Sequence, residues 1–219
     1  MTEDFLQVFK KYCLSELNTF SDYIKHSNKG ILDAQNQFEE QLKTIEQGQV
    51  KIIIGEEQRE EYVKLNSIFP NFFRLTTFVG LFFSFENKLT SLCNYIHERK
   101  QFKLRISDLS GENIIERSRR YLNLVVGIDL DDLNQEWVKI TDYQKIRNCF
   151  VHNNSNIIKD KNKKVEEQML FTLINKYPFL KLTPYGLIYI TNDDFLIDFT
   201  QLQMNFLSKL IDKADPKFR

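Results

Sequence analysis

The segment from residue 70 to 98 carries the strongest helical pattern of this chain and limits its fold more than any other feature. Its first apolar row recurs at alternating steps of three and four residues: Leu75, Phe78, Phe82, Phe85, Leu89, Leu92 and Ile96. A second row lies on the adjoining face: Phe72, Val79, Phe83, Glu86, Thr90 and Cys93. A helix that is apolar over this much of its circumference packs on more than one side. We therefore expect a helical bundle with this segment at its centre.

The composition agrees with a mainly helical chain. Seven Gly and four Pro in 219 residues leave little room for long loops, and nineteen Phe indicate a core built largely from this residue. The pattern predicts further helices at 3–27, 31–47, 56–68, 131–152 and 193–214, with a break at "SNKG" between the first two. Two more helices are predicted to end near residues 126 and 177, and Asp108 or Ser110 is the expected cap of the first of these. Pro70 is expected in the first turn of the 70–98 helix.

The sequence "FLKLTPYGLIYI" predicts the one β-hairpin. Pro184 suits the first central position of its turn, and Gly186 can adopt the positive φ that follows. "GQVKIIIGEE" indicates a short strand or an extended connector. The fold class is therefore mainly α, a helical bundle with one small C-terminal β-hairpin. We expect a single domain over 1–219, with an N-terminal helical extension (1–55), a core (56–156) and a C-terminal helix, hairpin and helix (157–219).

Charge and cysteine content narrow the classes of function. Thirty basic and thirty acidic residues cancel, so binding to nucleic acid would require a local patch. Cys13, Cys93 and Cys149 form no C-x-x-C pair, which favours reduced thiols and predicts neither a metal site nor a cofactor. The acidic start does not resemble a signal peptide, and "FFRLTTFVGLFFSF" contains Arg74 and is too short to span a bilayer. We expect a cytoplasmic protein with no membrane association.

The sequence "YQKIRNCFVHNNS", residues 143–155, contains the most distinctive polar pattern. The mostly apolar stripe of its helix runs through Leu133, Trp137, Ile140, Gln144, Arg147 and Val151. Arg147 therefore lies on or beside the inward face, where a guanidinium needs a partner or water. Asn148 and His152 are one turn apart on the same line, whereas Arg147 and His152 are separated by about 140° on an ideal helix.

These three side chains have the chemistry needed to cleave RNA. An arginine binds a phosphodiester and offsets the charge that develops on its oxygens. A histidine that titrates near neutral pH can move the protons of a 2′-hydroxyl attack and of leaving-group departure. The amide of Asn148 can hold the phosphate or the imidazole, and no metal is needed.

The motif resembles the Arg-x4–6-His motif of the HEPN superfamily. The similarity consists of Ile146, then Arg147 and Asn148, an apolar stretch, and His152 followed by Asn153, at the end of a late core helix. Members are helical domains, many of them metal-independent RNases of bacterial toxin–antitoxin, abortive-infection and antiviral systems. The resemblance covers residues 56–156. It implies catalytic roles for Arg147, His152 and Asn148, a homodimer whose two motifs share a cleft, and products with 2′,3′-cyclic phosphate ends.

Other residues have two interpretations each. Glu86 is either a buried ion-pair partner of Arg147 or a site residue that orients it, and both interpretations predict that the two side chains approach each other. Tyr143 can stack on a base or belong to the core. Arg117, Arg119 and Arg120 would contact RNA phosphates if they line the same cleft and are otherwise a solvated face. The lysines at 159–164 either rim the cleft or carry plain loop charge.

Two functions remain open at this stage. One is an endoribonuclease of a toxin or antiviral defence system. The other is a non-catalytic HEPN interaction module that binds a protein partner or antitoxin, which the neutral net charge favours.

Arg147 and His152 also have a purely structural interpretation as the C-terminal end of a helix. Cations there interact favourably with the negative end of the helix dipole, and Asn153 or Asn154 can form a left-handed cap.

Overall fold

The computed structural model describes residues 5–47 and 55–215. Within these ranges the chain is mainly α-helical with one small antiparallel hairpin, which confirms the predicted fold class. The elements are α1 (Phe5–Gln47), α2 (Glu56–Val63), α3 (Phe69–Lys100), α4 (Ile114–Arg120), α5 (Asn134–His152), α6 (Phe171–Ile174), β1 (Leu180–Leu182), β2 (Ile188–Ile190) and α7 (Asp194–Ala214). The predicted strand or connector falls largely on residues 48–54, which lie outside the described residues.

Helix α3 is the centre of the bundle, as its apolar pattern predicts. It packs against α1, α4, α5 and α7. Except for half-buried Leu75, every member of its first apolar row is at most 1% exposed. The ring of Phe78 contacts five other aromatic rings, those of Phe82, Tyr143, Phe150, Phe195 and Phe199. The core is therefore built around phenylalanine.

The second row of α3 is buried only in part. Cys93 is fully buried, but Phe72 is 67% exposed and Phe83 is 64% exposed. The expectation that this row packs inside the chain is wrong for these two side chains, since no described element covers that part of the helix.

Helix α1 does not break at "SNKG". A single glycine inside a helix costs only about 1 kcal/mol relative to alanine, which is too little to end a long helix by itself. The N-terminal half of α1 contributes buried Leu6, Cys13, Leu17 and Ile24 to the common core and packs along α7.

Pro70 lies in the first turn of α3, as predicted, but the chain does not leave the helix before it. A π-helical turn, Lys64–Ile68, joins α2 directly to α3, and the amide of Phe69 donates to the carbonyl of Lys64. Proline has no N–H for an i→i−4 bond, and a wider turn accommodates this loss.

Two predicted helix ends are displaced. The N-cap of α4 is Asn113, whose Oδ1 accepts from the amide of Glu116 at 3.0 Å, and not Asp108 or Ser110. Asp108 instead accepts from the amide of Arg105 at 2.8 Å, in a separate 3₁₀ turn. Helix α6 ends at Ile174 and not near Tyr177, since the residue before Pro178 is disfavoured in the helical region.

The hairpin forms as predicted. Gly186 donates its amide to the carbonyl of Thr183 at 2.9 Å and has a φ of 75°. Beyond the hairpin, Ile188 donates to the carbonyl of Ser155 at 2.8 Å and Ile157 donates to that of Gly186 at 2.9 Å. The hairpin therefore holds the chain directly after α5, and with it the end of the motif helix.

One helical stretch of the described residues, Glu56–Lys100, is long and apolar enough to cross a membrane by length and composition. The core helix of a soluble bundle meets the same criterion. Arg74 within it donates Nε to Asp193 at 2.7 Å and Nη1 to the carbonyls of Ile190 and Thr191, so this cation ties α3 to the end of the hairpin.

Candidate functional site

The motif occupies the last two turns of α5 and the turn after it. Leu133, Trp137 and Ile140 are at most 1% exposed, so the helix is held by the apolar part of its stripe. After His152 the chain folds back, with Asn154 at φ 48° and Ser155 at φ 63°. The left-handed cap therefore forms at Asn154, the second of the two candidate asparagines, and continues into Ser155.

Arg147 and Glu86 form an ion pair between α5 and α3, which confirms that the two side chains approach each other. Nη2 of Arg147 lies 2.8 Å from both carboxylate oxygens, and the two side chains are 19% and 17% exposed. The guanidinium also lies over the ring of Phe82, 4.9 Å from its centroid. Burial raises the pKa of Glu86, and the opposing effect of Arg147 does not cancel it. This contact is compatible with Glu86 as a buried ion-pair partner and with Glu86 as a site residue that orients Arg147, because a partner that neutralises the guanidinium also fixes its direction.

Arg147 is also bonded to its neighbour in the motif. Nη1 donates to Oδ1 of Asn148 at 2.8 Å. A guanidinium has five N–H groups. The contacts with Glu86 and Asn148 leave Nε–H and one N–H on Nη1 without a partner among the described residues.

Asn148 and His152 open onto one cavity of about 670 Å³ beside the C-terminal end of α5. Its lining includes apolar Ile157 and Leu173 and the buried thiol of Cys149. Arg147 does not line it. The structure thus brings two of the three motif residues to one cavity and connects the third through the Arg147–Asn148 hydrogen bond.

Four lysines surround this cavity: Lys145, Lys159, Lys163 and Lys176. Three carboxylates lie among them, those of Asp142, Asp160 and Glu167, so the wall carries one more positive than negative charge. Of the loop lysines, Lys159 and Lys163 line this cavity. Lys145, Lys163 and Lys176 each lie 3.6–3.8 Å from the carboxylate of Asp142 or Asp160, so most of the positive charge is compensated locally.

Sequence reasoning missed Lys145 and Lys176. Lys145 precedes Asn148 by three residues and His152 by seven, so helical periodicity alone places it on their face. Lys176 lies beyond α6 and reaches the cavity only through the fold, with Nζ 3.8 Å from the carboxylate of Asp142.

Gln168 was also missed, and it shapes the lysine loop. Its side chain is 6% exposed, and its amide oxygen accepts from the backbone amides of Lys159 and Asp160 at 3.1 and 3.4 Å. Its Nε2 donates to the carbonyls of Asp160 and Lys163 at 2.8 and 3.2 Å. One buried amide therefore fixes the loop that carries Lys159 and Lys163.

The arginines of α4 lie elsewhere. Arg119 donates to Asn134 and lies 5.8 Å from the centroid of the Trp137 ring. Arg120 donates to Ser110 and pairs with Glu116 at 2.7 Å, and Arg117 belongs to the same helix. Trp137 precedes His152 by fifteen residues of one helix, which corresponds to about 22 Å at the α-helical rise. These arginines do not line the cavity that holds His152.

Tyr143 belongs to the core. It is 3% exposed, and its ring lies 4.6 Å from that of Phe199 and 5.3 Å from that of Phe195. Burial raises the pKa of its phenol. The core alternative is therefore confirmed, and this ring does not reach the His152 cavity to stack on a base.

The cysteines and the acidic side chains form no metal cluster within the described ranges. Burial raises the pKa of the Cys13 thiol to about 11 and that of Cys93 to about 12. Both thiols therefore remain protonated at neutral pH and pack as small apolar side chains.

The HEPN resemblance rests on the residues of the motif and on their position at the end of α5. No family model, no curated protein and no solved structure matches this chain.

Proposed function

We propose that this chain is a metal-independent endoribonuclease of the HEPN type, with its active site in a cleft between two copies. The observation that carries the proposal is the shared cavity of Asn148 and His152, with four lysines around it and Arg147 bonded to Asn148. A histidine, an amide and nearby lysines are groups that a phosphodiester needs for general acid–base cleavage.

The residues take separate roles in this proposal. His152 moves the protons of the 2′-hydroxyl and of the leaving oxygen, and Asn148 positions the phosphate. The lysines bind the flanking phosphates. Arg147 does not line this cavity of its own chain. Its two unpartnered N–H groups therefore support the charge on the scissile phosphate from the cleft between the two copies, while Glu86 holds the guanidinium in place.

The exposed aromatic side chains of α3 support the homodimer. Phe72 and Phe83 lie along one side of this helix, and Phe83 precedes Glu86 by less than one turn. Large exposed apolar surfaces mark interaction sites in soluble proteins. A second copy that covers this face would bury both rings and bring its own Glu86–Arg147 pair towards the first.

The motif's resemblance supports a cytoplasmic role in a bacterial toxin or antiviral defence system, with an antitoxin or another defence protein as a further partner.

A second candidate is a non-catalytic interaction module of the same fold. Two observations favour this module. Both carboxylate oxygens of Glu86 accept from Arg147, which neutralises the positive charge of the motif's arginine, and the net charge of the chain is zero.

Cleavage of a structured RNA in the presence of EDTA separates the two candidates. The wild type is expected to cleave and to leave 2′,3′-cyclic phosphate ends. His152→Ala should lose at least about a hundredfold in rate, as expected for removal of a general acid–base group. His26→Ala is the matched control, because this exposed histidine lies on α1 and does not line the cavity. Arg147→Ala should also lose activity, with its folding checked by thermal melting. The catalytic proposal would be refuted if both His152→Ala and Arg147→Ala still cleave the RNA, or if the wild type does not cleave it.

A further inference from the structure

A second cavity, of about 860 Å³, lies between α5 and α7 and has a different chemistry. Asp142 and Lys176 line both cavities, and their ion pair at 3.8 Å separates the two. The wall of the second cavity also contains Tyr143, Tyr177 and Asp198. None of these three residues belongs to the RNA-cleaving group proposed above.

The two phenol hydroxyls in this wall have no partner. Tyr143 is 3% exposed, and its hydroxyl makes no hydrogen bond to any side chain or backbone group in residues 5–47 and 55–215. The same holds for the hydroxyl of Tyr177, whose ring lies 5.1 Å from that of Tyr143. Neither hydroxyl is a fully buried atom without a partner. Both are therefore accessible from the cavity and can accept a hydrogen bond from a group bound there.

Asp198 has no ion-pair contact in the same place, although Lys139 also lines this cavity. The carboxylate of Asp142 is paired with Lys176, and that of Glu136 is paired with Lys209 at 2.7 Å. Asp198 has no ion pair among the described residues. Burial and the nearby charge of Asp194 raise its pKa, and Lys139 opposes this without bonding to it.

We propose that this cavity binds a small primary alkylamine. An ammonium group has three N–H donors and no acceptor. One donor would reach the carboxylate of Asp198, and the other two would reach the hydroxyl oxygens of Tyr143 and Tyr177.

Other ligand classes fit these groups less well. Lys176 and Lys209 in the wall are already paired with Asp142 and Glu136, so an anion would have Lys139 as its counter-charge and would lie against the unpaired carboxylate of Asp198. A neutral polyol would occupy the hydroxyls but leave the charge of Asp198 without a counter-charge, and charge-assisted hydrogen bonds are about twice as strong as neutral ones. The alkyl part of an amine has an apolar surface to lie on in Leu202, which lines the same cavity.

Calorimetric titration of the full-length chain with diaminopentane tests the proposal. Pentanediol serves as the neutral ligand of the same length, and it should not bind measurably. Asp198→Asn should weaken diaminopentane binding by about tenfold or more, because a charged hydrogen bond becomes a neutral one. Asp212→Asn is the matched control on the same helix, since it removes the same charge outside the cavity and about 21 Å along α7 from Asp198, and it should change the affinity by less than about twofold.

Two further variants keep the test decisive if Asp198→Asn folds poorly. Tyr177→Phe removes one acceptor and should weaken binding by about threefold to tenfold. Lys139→Ala removes the cation near Asp198 and should strengthen binding. The proposal fails if diaminopentane shows no saturable binding at millimolar concentration, or if pentanediol binds equally well. Equal losses in Asp198→Asn and Asp212→Asn, or weaker binding in Lys139→Ala, would overturn it as well.

Discussion

Nη2 of Arg147 lies 2.8 Å from both carboxylate oxygens of Glu86, so that one guanidinium nitrogen joins the motif helix α5 to the central helix α3. The residues are 61 positions apart in the chain. The same guanidinium covers the ring of Phe82, and its other terminal nitrogen bonds to Asn148. The orientation of Asn148, which lines the His152 cavity, therefore depends on a contact made on the opposite side of Arg147.

The pair makes stability depend on pH in a defined direction. Burial raises the pKa of Glu86 above its ordinary value of 4.5, so the folded chain keeps this proton to higher pH than the unfolded chain does. The resulting stability is present below the ordinary pKa and is lost as pH rises through the raised folded value. The free energy of unfolding of the wild type minus that of Glu86→Gln should therefore fall as pH rises from about 4 to 7. Urea unfolding of both proteins at a series of pH values measures this difference in free energy. A difference that stays constant or rises with pH would contradict a raised pKa of Glu86.

The cavity lysines should control how RNA binding depends on salt. Lys159→Ala combined with Lys163→Ala should reduce the slope of log affinity against log salt by about 0.7 for each phosphate that is no longer neutralised. Arg119→Ala combined with Arg120→Ala removes the same charge from α4 and should leave the slope unchanged. Fluorescence anisotropy with a labelled RNA measures binding, and a His152→Ala background prevents cleavage. An equal effect of the two pairs would show that binding follows net charge and not this cavity.

The exposed rings of α3 should hold the homodimer together. Phe72→Glu combined with Phe83→Glu should convert a dimer into a monomer, measured by light scattering after size-exclusion chromatography. Because both rings are mostly exposed in one copy, the unfolding free energy of the monomer should change by about 0.5 kcal/mol or less per substitution. Leu124→Glu is the control, since Leu124 is 75% exposed after α4 and should leave the dimer intact. A wild type that is monomeric at high concentration would exclude this interface.

Substitution by alanine at two glycines should change the free energy of unfolding in opposite directions. A Cβ on Gly186 would lie 2.8 Å from Cγ1 of Ile158, and the φ of 75° is unfavourable for alanine, so Gly186→Ala should destabilise by about 1–3 kcal/mol. A Cβ on Gly30 would meet nothing within 4 Å, so Gly30→Ala should stabilise the chain by about 0.5–1 kcal/mol. Thermal or urea unfolding of the two variants against the wild type measures both changes. A Gly30→Ala variant less stable than the wild type would contradict a continuous α1.

Much of the candidate site follows from local spacing. Helical periodicity places Asn148 and His152 on one line of α5 and Arg147 on an inward position, and both placements hold in the structure. Lys145 belongs to the same line and could have been predicted in the same way. Periodicity also selects Glu86 as the one charged residue in an apolar row, which is why its contact with Arg147 could be predicted before the fold was known.

Other members of the site depend on chain segments that no local pattern relates. Lys176 and the loop of Lys159 and Lys163 reach His152 only because Gln168 and the hairpin fold the chain back after α5. The cavity between α5 and α7 likewise joins Tyr143 to Asp198, from two helices that α6 and the hairpin separate in the chain.

The amino-acid sequence by itself determined the helical class, the central place of α3, the hairpin and the inward position of Arg147, because each depends on side-chain period or on turn residues within a few positions. Only the tertiary structure decided that α1 continues through Gly30, that Phe72 and Phe83 remain exposed, and which lysines surround His152. Those outcomes depend on which surfaces meet. The free energy of burying an apolar face is set by the partner that covers it, and that partner lies far away in the chain.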